Sequence, residues 1–246
     1  MPISKYVPNF ITLLNLSSGL IALIYAFDNN LKMAFLWVCL GIFFDFWDGF
    51  FARILKAQSE VGLQLDSLAD MVTSGVVPGL VMYKMFENIY SLTGTDVPDD
   101  FYSNFIPYIG FIITLASCYR LAKFNVDTRQ IDSFIGLPTP ANTLFIMSIP
   151  MILSQSSGDD FIFNILSNPY VLMGITLLSA FMLNAEIPLF SLKIKQLNFK
   201  ENKLQIFFLL YSVLLLVFLQ YLGIPLIILS YVVLSIFNNK FQQKQS

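Results

Sequence analysis

Four aspartates and one arginine interrupt an apolar stretch early in the chain: Asp45, Asp48 and Arg53, then Asp66 and Asp70. A charged side chain inside a bilayer-spanning segment costs about 2.5–3.5 kcal/mol on insertion scales, so an unpaired set would be strongly disfavoured. Their spacing carries geometry. Asp45 and Asp48 stand at i, i+3 and Asp66 and Asp70 at i, i+4, so each pair projects from one helix face. A short turn between the two helices brings both pairs together. Four ligand groups offering only oxygen describe a hard-cation site, with magnesium or manganese favoured over zinc. Two such ions about 3.5–4 Å apart neutralise carboxylates and clamp a polyphosphate. Arg53 shares a helical face with Gly49 and offers a planar fork suited to phosphate. Gly49, Ala52 and Gly62 are small enough for a ligand or a helix to approach closely. The plain alternative is Asp–Arg pairing at a wet helix end, which accounts for one pair but poorly for four aspartates at these spacings.

The elements that must hold these residues are membrane helices. Apolar runs predict eight of them, at about 10–27, 32–54, 63–86, 104–124, 140–155, 169–185, 204–222 and 224–238. The chain reads as an all-α, polytopic helical bundle forming a single membrane-embedded domain. Its core spans about 8–190, with an additional helix pair over about 204–238. The first span is expected to be retained, because no small-residue cleavage site follows it. Positive charge sets the orientation. With the N-terminus and C-terminus in the cytoplasm, Lys5, Arg53, Lys56, Arg120, Lys123, Arg129, Lys193, Lys195, Lys200, Lys203, Lys240 and Lys244 fall on that side. Only Lys32 and Lys84 fall opposite, where Asp96, Asp99, Asp100, Asp159 and Asp160 gather. The aspartate cluster then faces the cytoplasm. Segment 187–203 reads as a basic connector lying on anionic lipid.

Composition narrows the chemistry. Of 246 residues 56% are hydrophobic and only 12% charged, against about 25% charged in soluble domains. Acidic and basic residues nearly balance at 16 and 14, and no basic patch points to nucleic acid. The absence of histidine excludes Ser-His-Asp and Cys-His catalysis and histidine-ligated metals. Cys39 and Cys118 lie in separate apolar stretches and read as buried free thiols. Carboxylates, hydroxyls, Lys, Arg and bound metal are what remain.

The string Asp45-x2-Asp48-Gly49-x2-Ala52-Arg53-x8-Gly62-x3-Asp66-x3-Asp70 resembles the signature of the CDP-alcohol phosphotransferases at every defined position. Members of that integral-membrane family displace CMP from a CDP-linked lipid with an alcohol, using divalent metal. The resemblance implies that Asp45, Asp48, Asp66 and Asp70 ligate two Mg2+ or Mn2+ ions, with Asp70 also accepting the proton. It implies that Gly49, Arg53 and Ser59, with Asn9 and Thr12 of the Pro8-Asn9-x2-Thr12 helix start, hold the CDP moiety. It further implies a homodimer in a bacterial inner membrane. Read without it, Ser59, Asn9 and Thr12 are ordinary loop and helix-start residues.

The acceptor alcohol is less sharply marked. Arg120-Leu121-Ala122-Lys123-Phe124-Asn125 and Gly136-Leu137-Pro138-Thr139-Pro140-Ala141 resemble the bacterial phosphatidylserine synthase branch of the family. That likeness implies CDP-diacylglycerol as donor, L-serine as acceptor and membrane lipids as surroundings. Arg120 and Lys123 can bind a serine carboxylate or simply anchor the cytoplasmic end of a span. Glycerol 3-phosphate and inositol phosphate stay open as acceptors, although a phosphorylated one requires a denser cationic pocket. A cation or proton transporter is the rival class, because intramembrane carboxylates also line ion paths. Against it, the aspartates cluster at one face and no acidic relay continues across.

Overall fold

The chain reverses at Asp28-Asn29-Asn30, and this turn sets how the first two helices meet. The computed structural model describes residues 6–92, 105–127, 134–156, 158, 160–190 and 203–243. Helix α1 (Val7–Phe27) closes with Asn29 N–H donating to Ala26 O at 3.1 Å and Asn30 N–H to Tyr25 O at 2.8 Å. This closure places Asn29 in the left-handed region, at φ 63°, which asparagine tolerates better than most side chains. Asn30 then caps α2 (Leu31–Ile54), its side chain accepting from Met33 N–H at 3.2 Å. Among the buried positions of both helices small residues recur: Ser18, Gly19, Ala22 and Ala26 in α1, and Ala34, Val38 and Gly41 in α2. Small residues let helix backbones approach closely within a bilayer.

A second turn of the same kind follows α2. Lys56 N–H donates to Arg53 O at 3.2 Å and Ala57 N–H to Ala52 O at 2.9 Å, with Lys56 at φ 50°. Ser59 caps α3 (Glu60–Asp70), its hydroxyl accepting from Gly62 N–H at 3.0 Å. The rod continues through a π-helical turn, Met71–Val76, into α4 (Val77–Leu92). Asn29 and Asn88 exchange amide hydrogen bonds of 2.7 and 2.8 Å, pinning the far end of this rod to the first turn.

Pro78 helps explain the irregular turn. It lacks an amide hydrogen, so the Ser74 carbonyl loses its ordinary helical donor four residues on. Thr143 Oγ1 stands 2.8 Å from Ser74 O and 2.9 Å from Thr139 O, sharing its hydrogen between them. Thr114 Oγ1 donates to the adjacent Gly75 carbonyl at 2.9 Å. Side-chain hydroxyls thus satisfy backbone groups that lipid cannot. Thr143→Val is expected to lower stability by about 1–2 kcal/mol, read as an earlier thermal melt in detergent.

The remaining elements wrap this centre. A 3-10 turn (Ile106–Phe111) leads into α5 (Ile112–Val126), crossing α4 at a glycine contact: a Cβ on Gly110 would lie 2.5 Å from Tyr83 N. Then come β1 (Phe134–Ile135), α6 (Thr139–Gln155), the short α7 (Phe161–Leu166), α8 (Pro169–Asn184) and β2 (Pro188–Leu189). β1 and β2 pair antiparallel, with Phe134 opposite Leu189 and Ile135 opposite Pro188. The last pair is α9 (Lys203–Leu219) and α10 (Gly223–Gln243). Val38, Val81, Phe86, Ile113, Met147 and Leu172 belong to the main core. A second cluster docks the final pair on β2: Phe190, Phe208 and Tyr231 pack together, and Tyr231 Oη donates to Phe190 O at 2.8 Å.

The eight expected helices are present as eight rods. Among the described residues, five stretches are long and apolar enough to cross a membrane: Val7–Phe27, Leu31–Ile54, Glu60–Ile89, Ile106–Val126 and Leu204–Asn238, the last containing most of both α9 and α10. The chain is an integral membrane protein by this measure. Some expectations need correction. The third rod runs over 60–92 rather than 63–86, because Ser59 caps it earlier. The final pair separates at a 3-10 turn, Gln220–Leu222, with Gln220 at φ 47°, rather than at Gly223 and Pro225. The π turn, α7 and the two-residue ladder were not anticipated. Both cysteines are free, but Cys118 is exposed and Cys39 only partly buried, because the outer surface of a membrane bundle is itself apolar. Lys5, Asp96, Asp99, Asp100, Arg129, Asp159, Lys193, Lys195, Lys200 and Lys244 lie outside the described residues, as does most of the 187–203 connector.

Candidate active site

Thr12 and Asp48 each stand about 25 Å along their helices from the Asp28–Asn30 turn, so the α1–α2 hairpin brings them level. The turn after α2 folds α3 back beside them. One oxygen from each of Asp45, Asp48 and Asp66 then lies within 4.8 Å of the others. Asp48 Oδ2 and Asp66 Oδ1 are buried and have no hydrogen-bond partner. Buried carboxylate oxygens without donors are destabilising on their own, and three converging carboxylates repel one another. A hard divalent cation resolves both problems, so the donor set fits one. Asp70 is buried one helical turn beyond Asp66, beside the group rather than within it. Its Oδ1 accepts from Asn15 Nδ2 at 3.0 Å, and it also contacts Asp45.

In front of the carboxylates lies a cleft of about 510 Å³. Pockets that enclose a small-molecule ligand span about 300–1,000 Å³. Helix α1 contributes Pro8, Asn9 and Thr12, while α2 contributes Asp48, Gly49, Ala52 and Arg53. The connection and α3 complete it with Ala57, Gln58, Ser59, Glu60, Gly62, Leu63 and Asp66. A Cβ added at Gly49 meets nothing within 4 Å, so the cleft wall is open there. A Cβ at Gly62 would lie 3.1 Å from both Asn9 Oδ1 and Ser59 Oγ, so those three residues converge. Arg53 is exposed and has no ion-pair partner among the described residues. The plain Asp–Arg pairing considered from sequence is therefore not what holds Arg53. Phe10, Val61 and Leu63 are exposed around these cleft-lining segments and give them an apolar fringe.

Among the residues singled out from sequence, Asn9, Thr12, Asp48, Gly49, Arg53, Ser59 and Asp66 line the cleft, with Asp45 and Asp70 behind them. Arg120 and Lys123 do not line it. Arg120 is buried and donates to Leu183 O at 2.7 Å, Ile135 O at 2.8 Å and Gly136 O at 3.2 Å. Lys123 pairs with Glu186 at 3.2 Å. From the same helix, Asn125 Nδ2 donates to Ser67 Oγ at 2.9 Å, reaching the α3 turn between Asp66 and Asp70. Sequence reasoning missed Asn15, although an amide in mid-span is itself a signal, and of the rim it found Ser59 but missed Ala57, Gln58 and Glu60.

A helical membrane bundle with a three-carboxylate centre beside a ligand-sized cleft defines the class, and the family comparison agrees. The profile of the CDP-alcohol phosphatidyltransferase family matches residues 5–182, and the chain belongs to that family. A Bacillus subtilis protein named CDP-diacylglycerol–serine O-phosphatidyltransferase is 37% identical over 140 residues, covering 55% of this chain and 70% of that one. A Methanocaldococcus jannaschii protein of the same name is 30% identical over 149 residues, 61% of this chain and 62% of its own. An archaetidylserine synthase of Methanothermobacter thermautotrophicus is 30% identical over 145 residues, 58% of this chain and 56% of its own. The chain thus spans less than two thirds of the length of the latter two relatives.

Proposed function

We propose that this protein transfers the phosphatidyl group of CDP-diacylglycerol to the hydroxyl of L-serine, forming phosphatidylserine and releasing CMP. The observation that carries the reading is the convergence of Asp45, Asp48 and Asp66, with two unpartnered oxygens, at a cleft that also holds an unpaired Arg53. A pyrophosphate brought to three carboxylates would be repelled, so donor binding requires a cation between them. Asp45, Asp48 and Asp66 would hold Mg2+ or Mn2+, two ions being the family-like arrangement, with Asp70 adjoining. When bound, such cations supply charge neutralisation of the pyrophosphate and of the departing CMP phosphate.

The chain's own groups do the rest. Arg53 steadies the phosphates, and Asn9, Thr12, Gly49 and Ser59 cradle the nucleotide end. The acyl chains leave past Phe10 and Leu63 into the bilayer. Serine Oγ forms a bond to the lipid-linked phosphorus while the bond from that phosphorus to the CMP oxygen breaks in line. Asp70 orients the hydroxyl and takes its proton. General-base help of this kind contributes about 10²–10⁴-fold, so alignment and charge neutralisation must supply more. The family match over 5–182 supports placing the catalytic core at about 8–190, with α9 and α10 as additions. The names of the relatives support serine as acceptor, and a cytoplasmic active site follows from the distribution of Lys and Arg.

The test is CMP release by purified protein given CDP-diacylglycerol, Mg2+ and one acceptor at a time. Serine-dependent CMP and a phosphatidylserine product are expected. Release with glycerol 3-phosphate or inositol phosphate but not serine overturns the acceptor. Cation flux into proteoliposomes with no CDP-lipid turnover overturns the enzyme reading.

A further inference from the structure

We infer that Asn15 is a positioning residue for this reaction, holding the Asp70 carboxylate in the orientation that serves the acceptor hydroxyl. The inference rests on the proposed function. Asn15 lies in the middle of α1, fully buried, and its Nδ2 donates to Asp70 Oδ1 at 3.0 Å. Nδ2 is turned to Asp70, and the other end of the amide, Oδ1, faces Gly41. With its own Oδ1 engaged by Asn15 and its carboxylate also touching Asp45, Asp70 is held from two sides. Both contacts come from the protein's own side chains, which fix the carboxylate before any substrate arrives.

The backbone around Asn15 is fixed as firmly. Thr73 Oγ1, on the π turn three residues beyond Asp70, donates to Asn15 O at 3.2 Å. Gly41 presses from α2, where a Cβ would lie 3.0 Å from Asn15 Oδ1. Asn15 Oδ1 itself is buried and has no partner. A buried amide with an unsatisfied acceptor is unfavourable for stability, and an apolar side chain of similar shape would pack there without that penalty. Orienting a reactive carboxylate is what the amide offers in exchange. Residues that orient a reactive group from behind typically change activity by about 10–100-fold when removed.

Asn15→Leu is the direct variant, since it keeps the branched skeleton and removes the donor. Expected are a fall in kcat of about 10–100-fold, a KM for CDP-diacylglycerol within about twofold, and Mg2+-dependent CMP binding by calorimetry within about twofold. The melting temperature should be unchanged or higher. In an Asp70→Asn background the same change should add little, because Asn15 acts through Asp70. Wild-type kcat in Asn15→Leu, or a multiplicative loss in the double variant, overturns the inference. A kcat loss matched by equal losses of CMP affinity and melting temperature also overturns it, marking a packing role. If Asn15→Leu does not fold, near-isosteric Asn15→Asp carries the same readouts, with a carboxylate opposing Asp70. Inactivity of the wild type with every acceptor would strike the proposed function instead and would be seen before any variant is made.

Discussion

Asp66→Asn is expected to lower turnover by about 10³-fold or more while making the cation-free protein more stable to heat. The opposed signs come from one cause. Asp66 Oδ1 is buried without a donor, and its carboxylate stands within 4.8 Å of those of Asp45 and Asp48. Neutralising one of three crowded carboxylates relieves repulsion in the free protein. The same change removes a ligand charge and points an amide at the cation position. Saturating Mg2+ should therefore raise the melting temperature of the wild type, by the equivalent of about 2.7 kcal/mol at a hundredfold excess over Kd, and should barely move that of the variant. Asp45→Asn and Asp48→Asn should behave alike. Asp70→Asn should differ, losing turnover more than CMP affinity, since Asp70 stands beside the ligand group. Equal loss of CMP binding in all four variants would remove the distinction between Asp70 and the others.

Arg120→Ala should lower stability by about 3–5 kcal/mol, a shift of roughly 6–20 °C for a chain of this size. The guanidinium bonds the carbonyls of Ile135, Gly136 and Leu183, so its removal leaves three acceptors without that donor where β1 and its link to α6 meet the end of α8. Gly136 has φ 75°, and a Cβ there would lie 2.8 Å from Arg120 Nη1, so glycine and arginine are fitted to each other. Arg120→Lys should rescue little, because an ammonium cannot reproduce the planar fork. The melt in detergent and the serine KM must be read together. A serine carboxylate held by Arg120 would show as a raised serine KM at an unchanged melting temperature.

How much was legible from sequence divides along physical lines. The aspartate spacings and the apolar runs carry their own geometry, so the pairing of Asp45 and Asp48 with Asp66 could be foreseen. The separation of Asp70 from the three-oxygen group could not, since i, i+4 spacing places Asp66 and Asp70 on one face without saying how deep each sits. The π turn was hidden because its causes are distant: Pro78 frees a carbonyl, but Thr143 and Thr114, which satisfy the turn, come from other helices. The fate of Arg120 was hidden for a related reason. Its three acceptors are backbone carbonyls, which leave no signature in residue type.

Among the described residues, every one that lines the large cleft comes from 8–66, a single hairpin and the start of one more helix. Of the later helices, α5 reaches the aspartate-bearing α3 through Asn125, which donates to Ser67. If the nucleotide is gripped by this hairpin as proposed, grip on the nucleotide and choice of alcohol can reside in separate parts of one polypeptide. Under the proposed function, evolution can exchange the second without rebuilding the first, and a chimera joining this N-terminal third to the later helices of a relative with another acceptor should inherit that relative's alcohol.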